Sequence, residues 1–106
     1  MFRMTQDTML ANGTYKVSEV MVSPARLIEV FGKPMGSDGY KASGEYLFVG
    51  DNDEVFTVYD WKSTSLYDPG LESPEQFWSY SSPEYFSVGG KSNPDSFVTW
   101  LLRKLG

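Results

Sequence analysis

Lys41 to Lys62 reads KASGEYLFVGDNDEVFTVYDWK, and the fold turns on how this stretch is paired. Two runs rich in aromatic and β-branched residues flank the acidic tip Gly50–Glu54. Runs of that composition, separated by four or five turn-forming residues, make a β-hairpin. Pairing Val49 with Phe56 puts Leu47, Val49, Phe56 and Val58 on one face. Tyr46, Phe48, Thr57, Tyr59 and Trp61 then share the other. The aliphatic face suits burial under helices. The aromatic face lies on the far side of a sheet covered once, where either the N-terminal arm and the 63–80 loop cover it or a partner does.

Outward from the hairpin, the helices announce themselves by their ends. SPARLIEVFGKP offers Ser23 as a cap, Pro24 at the first helical position, and Gly32 with Pro34 as a stop. Leu27, Ile28 and Phe31 fall on one face of that helix, with Val22 placed to staple onto Leu27. Thr14–Val22 before it reads as a strand. Met35–Gly39 is a turn-rich connection, and Ser63–Gly70 a surface loop. Ser73-Pro74-Glu75-Gln76 matches a capping box for a short helix that Pro83 ends. Glu84–Val88 is the last strand, ending at Gly89. Asn93 is placed to cap and Pro94 to open a final helix whose apolar face is Phe97, Val98, Leu101, Leu102 and Leu105.

The order is β-α-β-β-(short α)-β-α. Adjacent strands with flanking helices predict an α+β fold, a small antiparallel sheet with two main helices on one face. Residues 1–12 carry no period and read as a flexible arm or edge strand, leaving 13–106 as a single α+β domain.

Composition bounds the chemistry. The chain has 106 residues, net charge −5, no Cys and no His. One domain is the expectation at that length. Thiolate, imidazole and His-containing triad chemistry are excluded, as are the usual zinc signatures. The acidic balance makes nucleic acid an unfavoured partner. No apolar run is long enough for a membrane span, and no secretory signal is evident, so the expected location is cytoplasmic. The tip carboxylates Asp51, Asp53 and Glu54 lack calcium-loop spacing and read as solvated. Asp38, Asp60 and Asp68 are candidate carboxylates with no assignable pairing. No catalytic residue, cofactor or metal is expected.

Ser87–Ser92, SVGGKS, looks like the tail of a nucleotide-binding loop. The Gly required six positions before the Lys is Tyr85, so the Walker loop is absent. What remains is a strand, two glycines, Lys91 and Ser92 before a helix N-terminus, a place where an anion or only a turn is accommodated.

FGKP, DGYK, EYLF, VYDWK and SVGGKS before a closing helix together resemble a group of small bacteriophage proteins. The resemblance runs from about Val17 to the C-terminus. It implies a viral accessory protein acting in a host cytoplasm, and it supplies no activity and no catalytic residues. The acidic tip and the aromatic-rich Ser79–Phe86 are longer here than in that pattern.

Two functional expectations follow. The first is a non-enzymatic protein that binds a host protein, or itself as a homodimer, through the aromatic sheet face, with Tyr46, Phe48, Tyr59 and Trp61 as contacts. The alternative is a binder of a nucleotide or other small phosphate-bearing ligand, using Gly89, Gly90, Lys91 and Ser92 with Lys41 or Lys62.

Overall fold

A computed structural model describes residues 1–36 and 38–106; Ser37, within the expected Met35–Gly39 connection, lies outside the described residues. Five antiparallel strands form one sheet in the order β1-β3-β4-β5-β2. They are β1 (Phe2–Met4), β2 (Tyr15–Val22), β3 (Glu45–Gly50), β4 (Val55–Tyr59) and β5 (Glu84–Gly90). Helices α1 (Pro24–Phe31), α2 (Pro74–Trp78) and α3 (Asp95–Leu105) cover one face, and a 3-10 turn, Thr8–Ala11, lies against β4. This is the α+β architecture that the element order predicts. No helix among the described residues is long and apolar enough to cross a membrane.

The helix ends form as their sequences dictate. Ser23 Oγ accepts from Arg26 N–H and donates to the Tyr80 carbonyl, so one side chain starts α1 and ties it to the chain beyond α2. Gly32 closes α1 at φ +83°, a conformation that favours glycine. Ser73 and Gln76 complete both halves of a capping box on α2. At α3 the start is one residue later than the sequence implies. Asn93 Oδ1 accepts from Asp95 N–H at 2.8 Å, and the Pro94 carbonyl takes the first helical bond, from Val98 N–H.

The hairpin register differs from the expected one by a single residue. Val49 pairs with Val55, and Phe48 with Phe56. Asp53 takes φ +62°, which lets the Gly50 N–H reach the Glu54 carbonyl at 2.8 Å and closes the tip one residue early. Because side chains alternate, this shift exchanges partners between faces. Tyr46, Phe48, Phe56 and Val58 lie under the helices, while Leu47, Val49, Thr57 and Tyr59 occupy the far face. The aromatic pair that the sequence places outside therefore builds the core.

That core is ring on ring. Phe97 of α3 stacks on Phe56 at 4.8 Å and 8°, and meets Phe2 edge-on at 5.2 Å. Phe48, Phe31 and Trp100 complete the cluster. Gly90 lies beside Phe56 across the strands, and a Cβ there would stand 2.8 Å from its ring. On the far face, Leu47, Thr57 and Ser87 are also buried, under a layer that includes the N-terminal segment. Gly89 lies there over Thr57, whose hydroxyl leaves no room for a Cβ. The two glycines are strand residues that admit their neighbours, and the turn begins after them.

Gly90→Ala is expected to cost roughly 1–3 kcal/mol, since the methyl must displace a ring held flat by Phe97. Chemical denaturation measures it. A neutral result would mean that the glycine serves the turn and not the core.

Candidate functional site

Beyond β4 the chain turns Asp60 inward, and its carboxylate is completely buried. It accepts from Ser43 N–H at 2.8 Å, Gly44 N–H at 2.9 Å and Ser43 Oγ at 2.7 Å. Trp78 Nε1 donates to the same hydroxyl at 2.9 Å, so α2 joins the network. Gly44 is needed where it stands, because a Cβ would lie 2.7 Å from Trp78 and 2.8 Å from Pro34. On the other side of the loop, Asp38 Oδ1 accepts from Tyr40 N–H and Ala42 N–H. These bonds, that to Ala42 foremost, hold the Asp38 carboxyl below its ordinary range. Lys62, at φ +57°, returns its N–H to the Lys41 carbonyl and joins the two segments.

The frame displays five side chains. Tyr40 and Tyr67 rings are 5.5 Å apart. Lys41 Nζ sits 5.6 Å from the Trp61 ring, and Lys62 Nζ lies 5.7 Å from Trp61 and 5.1 Å from Tyr67. Neither ammonium has a carboxylate partner among the described residues. Trp61 is 45% exposed and Tyr40 53%, and the Lys41 ammonium also lies 6.0 Å from the Tyr40 ring. Cation–π contacts of this kind contribute about 0.5–1 kcal/mol at exposed sites. In a chain of net charge −5 the result is a local aromatic and cationic surface.

The residues singled out from sequence divide. Trp61, Lys41 and Lys62 come together here. Tyr59 stands edge-on to Trp61 at 6.1 Å, half-buried on the far face, where burial raises its phenol pKa. Tyr46 and Phe48 face the core instead. The Tyr46 hydroxyl donates to the Gly32 carbonyl at 2.6 Å, and burial pushes its pKa well up. The register shift is the physical reason for the change of face. Gly89 and Gly90 are buried within β5, and Lys91 and Ser92 follow at the Phe56 end of β4, whereas Lys62 follows the Tyr59 end. Lys91 runs beside Gly13 of the N-terminal segment. The length of β4 thus separates the two sets of residues expected to share a phosphate.

Tyr40 and Tyr67 were missed by sequence reasoning. Each sits in a loop, Tyr40 in the one braced by Asp38 and Tyr67 in the one closed by the Ser65 N–H to Glu72 carbonyl bond, and only loop closure brings them to the lysines beside Trp61. The three candidate carboxylates all serve the backbone, Asp68 by accepting from Gly70 N–H at 2.9 Å. Among the described residues no group of three or more carboxylates is arranged to hold a metal ion. Compared with known proteins, the chain matches no family model and no curated relative.

Asp60→Ala is expected to cost about 2–4 kcal/mol, because it leaves two buried N–H groups and a hydroxyl without their acceptor. Near-ultraviolet circular dichroism should then report loosened tryptophan packing. Native-like signal and unchanged stability would mean that Asp60 does not hold the frame.

Glu45 supplies a test of opposite sign. Burial, then the nearby Asp38 charge, raises its pKa above the ordinary 4.5. Its charged form is therefore disfavoured in the fold, and stability is lost as pH rises past 4.5 toward the raised value. Glu45→Gln should stabilise the protein at pH 7, with the advantage vanishing in acid below the ordinary carboxylate range. Asp38 runs the other way, its contribution being present above 3.8 and lost as pH falls through its lowered value. Thermal melts of Glu45→Gln across pH 3–7 check the sign, and a pH-independent gain would refute the assignment.

Proposed function

We propose that the protein is a non-enzymatic binding module whose contact surface is centred on Trp61, with Tyr40, Lys41, Lys62 and Tyr67 around it. The observation that carries this reading is an exposed indole flanked by two ammoniums without carboxylate partners among the described residues, each of which also meets a tyrosine ring, on a braced frame. Trp and Tyr are among the residue types that dominate binding hot spots. A braced surface also loses little entropy on association. The resemblance to small bacteriophage proteins supports an accessory role in which the partner is a protein of the host cytoplasm.

The experiment is capture of partners from a bacterial lysate by wild-type protein and by Trp61→Ala, followed by affinity measurement on the recovered partner. Loss of a hot-spot residue costs 2 kcal/mol or more, so affinity should fall at least about 30-fold with circular dichroism unchanged. Equal affinity for the variant would sink this reading. A nucleotide-induced rise in melting temperature that Lys91→Ala removes would favour the phosphate-binding alternative, since ligand at 100 times its Kd stabilises by about 2.7 kcal/mol.

A further inference from the structure

A groove of about 770 Å³ runs along the opposite side of the molecule, between the start of β1 and α3. Met1 and Phe2 form one wall, and Ser96, Thr99, Trp100 and Arg103 the other, with Lys104 at the end. Its size lies within the range of ordinary ligand sites, and its floor is aromatic. The wall made by β1 is an edge of the sheet. Asp51 N–H donates to the Met1 carbonyl, and Thr5 N–H to the Leu47 carbonyl. Antiparallel alternation then turns residues 1, 3 and 5 toward β3 and points the N–H and C=O of Phe2 and Met4 outward. No loop or turn backbone group bonds to these four among the described residues.

We infer that this groove accepts an extended, acidic peptide of a partner protein as a sixth strand, laid between β1 and α3. Three independent observations converge on that occupant. The outward groups of Phe2 and Met4 supply main-chain hydrogen bonds that only another extended backbone fits in register. The Phe2 and Trp100 rings supply an apolar seat for every second side chain of such a strand. Arg103 and Lys104, neither of which has a carboxylate partner among the described residues, give one end of the groove a positive charge. Asp95 marks the other end, so the peptide's acidic group is directed to the α3 C-terminal half. The floor also holds an unmade bond. Trp100 Nε1 is buried without an acceptor among the described residues, so the indole gains one if it turns toward an incoming carbonyl. This site is separate from the Trp61 surface, and neither reading depends on the other.

The test is selection of random dodecapeptides against the immobilised protein, then fluorescence-polarisation measurement on the best binder. Enriched peptides should alternate apolar residues with an acidic group at one end. Methylating the amides that pair with β1 should raise Kd at least about tenfold, as main-chain bonding requires. Thr99→Trp, which fills the groove from an exposed helical position, should abolish binding. Arg103→Glu with Lys104→Glu should weaken it tenfold or more and remove the acidic preference, while Trp61→Ala leaves it unchanged. Failure to enrich any peptide would overturn the inference. So would binders indifferent to Thr99→Trp and to amide methylation, since they must sit elsewhere. Decanoate binding that Thr99→Trp removes, with no peptide enriched, would reassign the groove to a lipid-like carboxylate.

Discussion

The flat contact of Phe97 on Phe56 is the interaction that the rest of the structure depends on. Two rings lie parallel at 4.8 Å only if nothing stands beside the lower one, and Gly90 is the residue that stands aside. With that contact made, α3 approaches the sheet closely, and Phe2 can wedge against Phe97 and Trp100 from the edge. Phe2 in turn gives β1, only three residues long, a reason to stay on the sheet. Its ring packs above Gly50, where a Cβ would stand 2.9 Å from it. Aromatic bulk on one strand is therefore matched by missing bulk on the next, and the groove beside α3 is what remains along that seam.

What was legible in the sequence is what is local. Ser23, Ser73 and Gln76 act within three residues of themselves, so their helices could be read directly. The hairpin was legible as a hairpin, since both strands and the tip are contiguous. Its register was not, because it rests on whether Asp53 adopts a positive φ, a choice worth little in free energy for Asp and invisible in composition. That small choice decided which aromatics are core. Gly89 and Gly90 illustrate a second limit. Read alone they look like a turn, whereas their purpose is to clear Thr57 and Phe56, residues more than thirty positions earlier.

The surface around Trp61 shows the same division. Trp61 and the two lysines could be picked out as residue types, but Tyr40 and Tyr67 reach them only through loop closure. Asp38 and Asp60 brace the two ends of that loop, and Asp60, fully buried, is thereby removed from the surface. Each directs its charge at backbone N–H groups, Asp60 from a fully buried position. Two carboxylates that sequence reasoning treats as chemistry are structural acceptors.

The burial of Asp60 contributes to the cationic character of this surface in an acidic protein. Lys41 and Lys62 flank Trp61 in sequence or space, neither has a carboxylate partner among the described residues, and their ammoniums lie over aromatic rings. A cation held by a ring keeps its full charge and loses little of it to a counter-ion. It remains available to an incoming anionic group, while the ring below it remains available for stacking. The folding role of Asp60 and the binding character of the lysines are thus linked, since a carboxylate committed to N–H groups inside is not offered to the ammoniums outside.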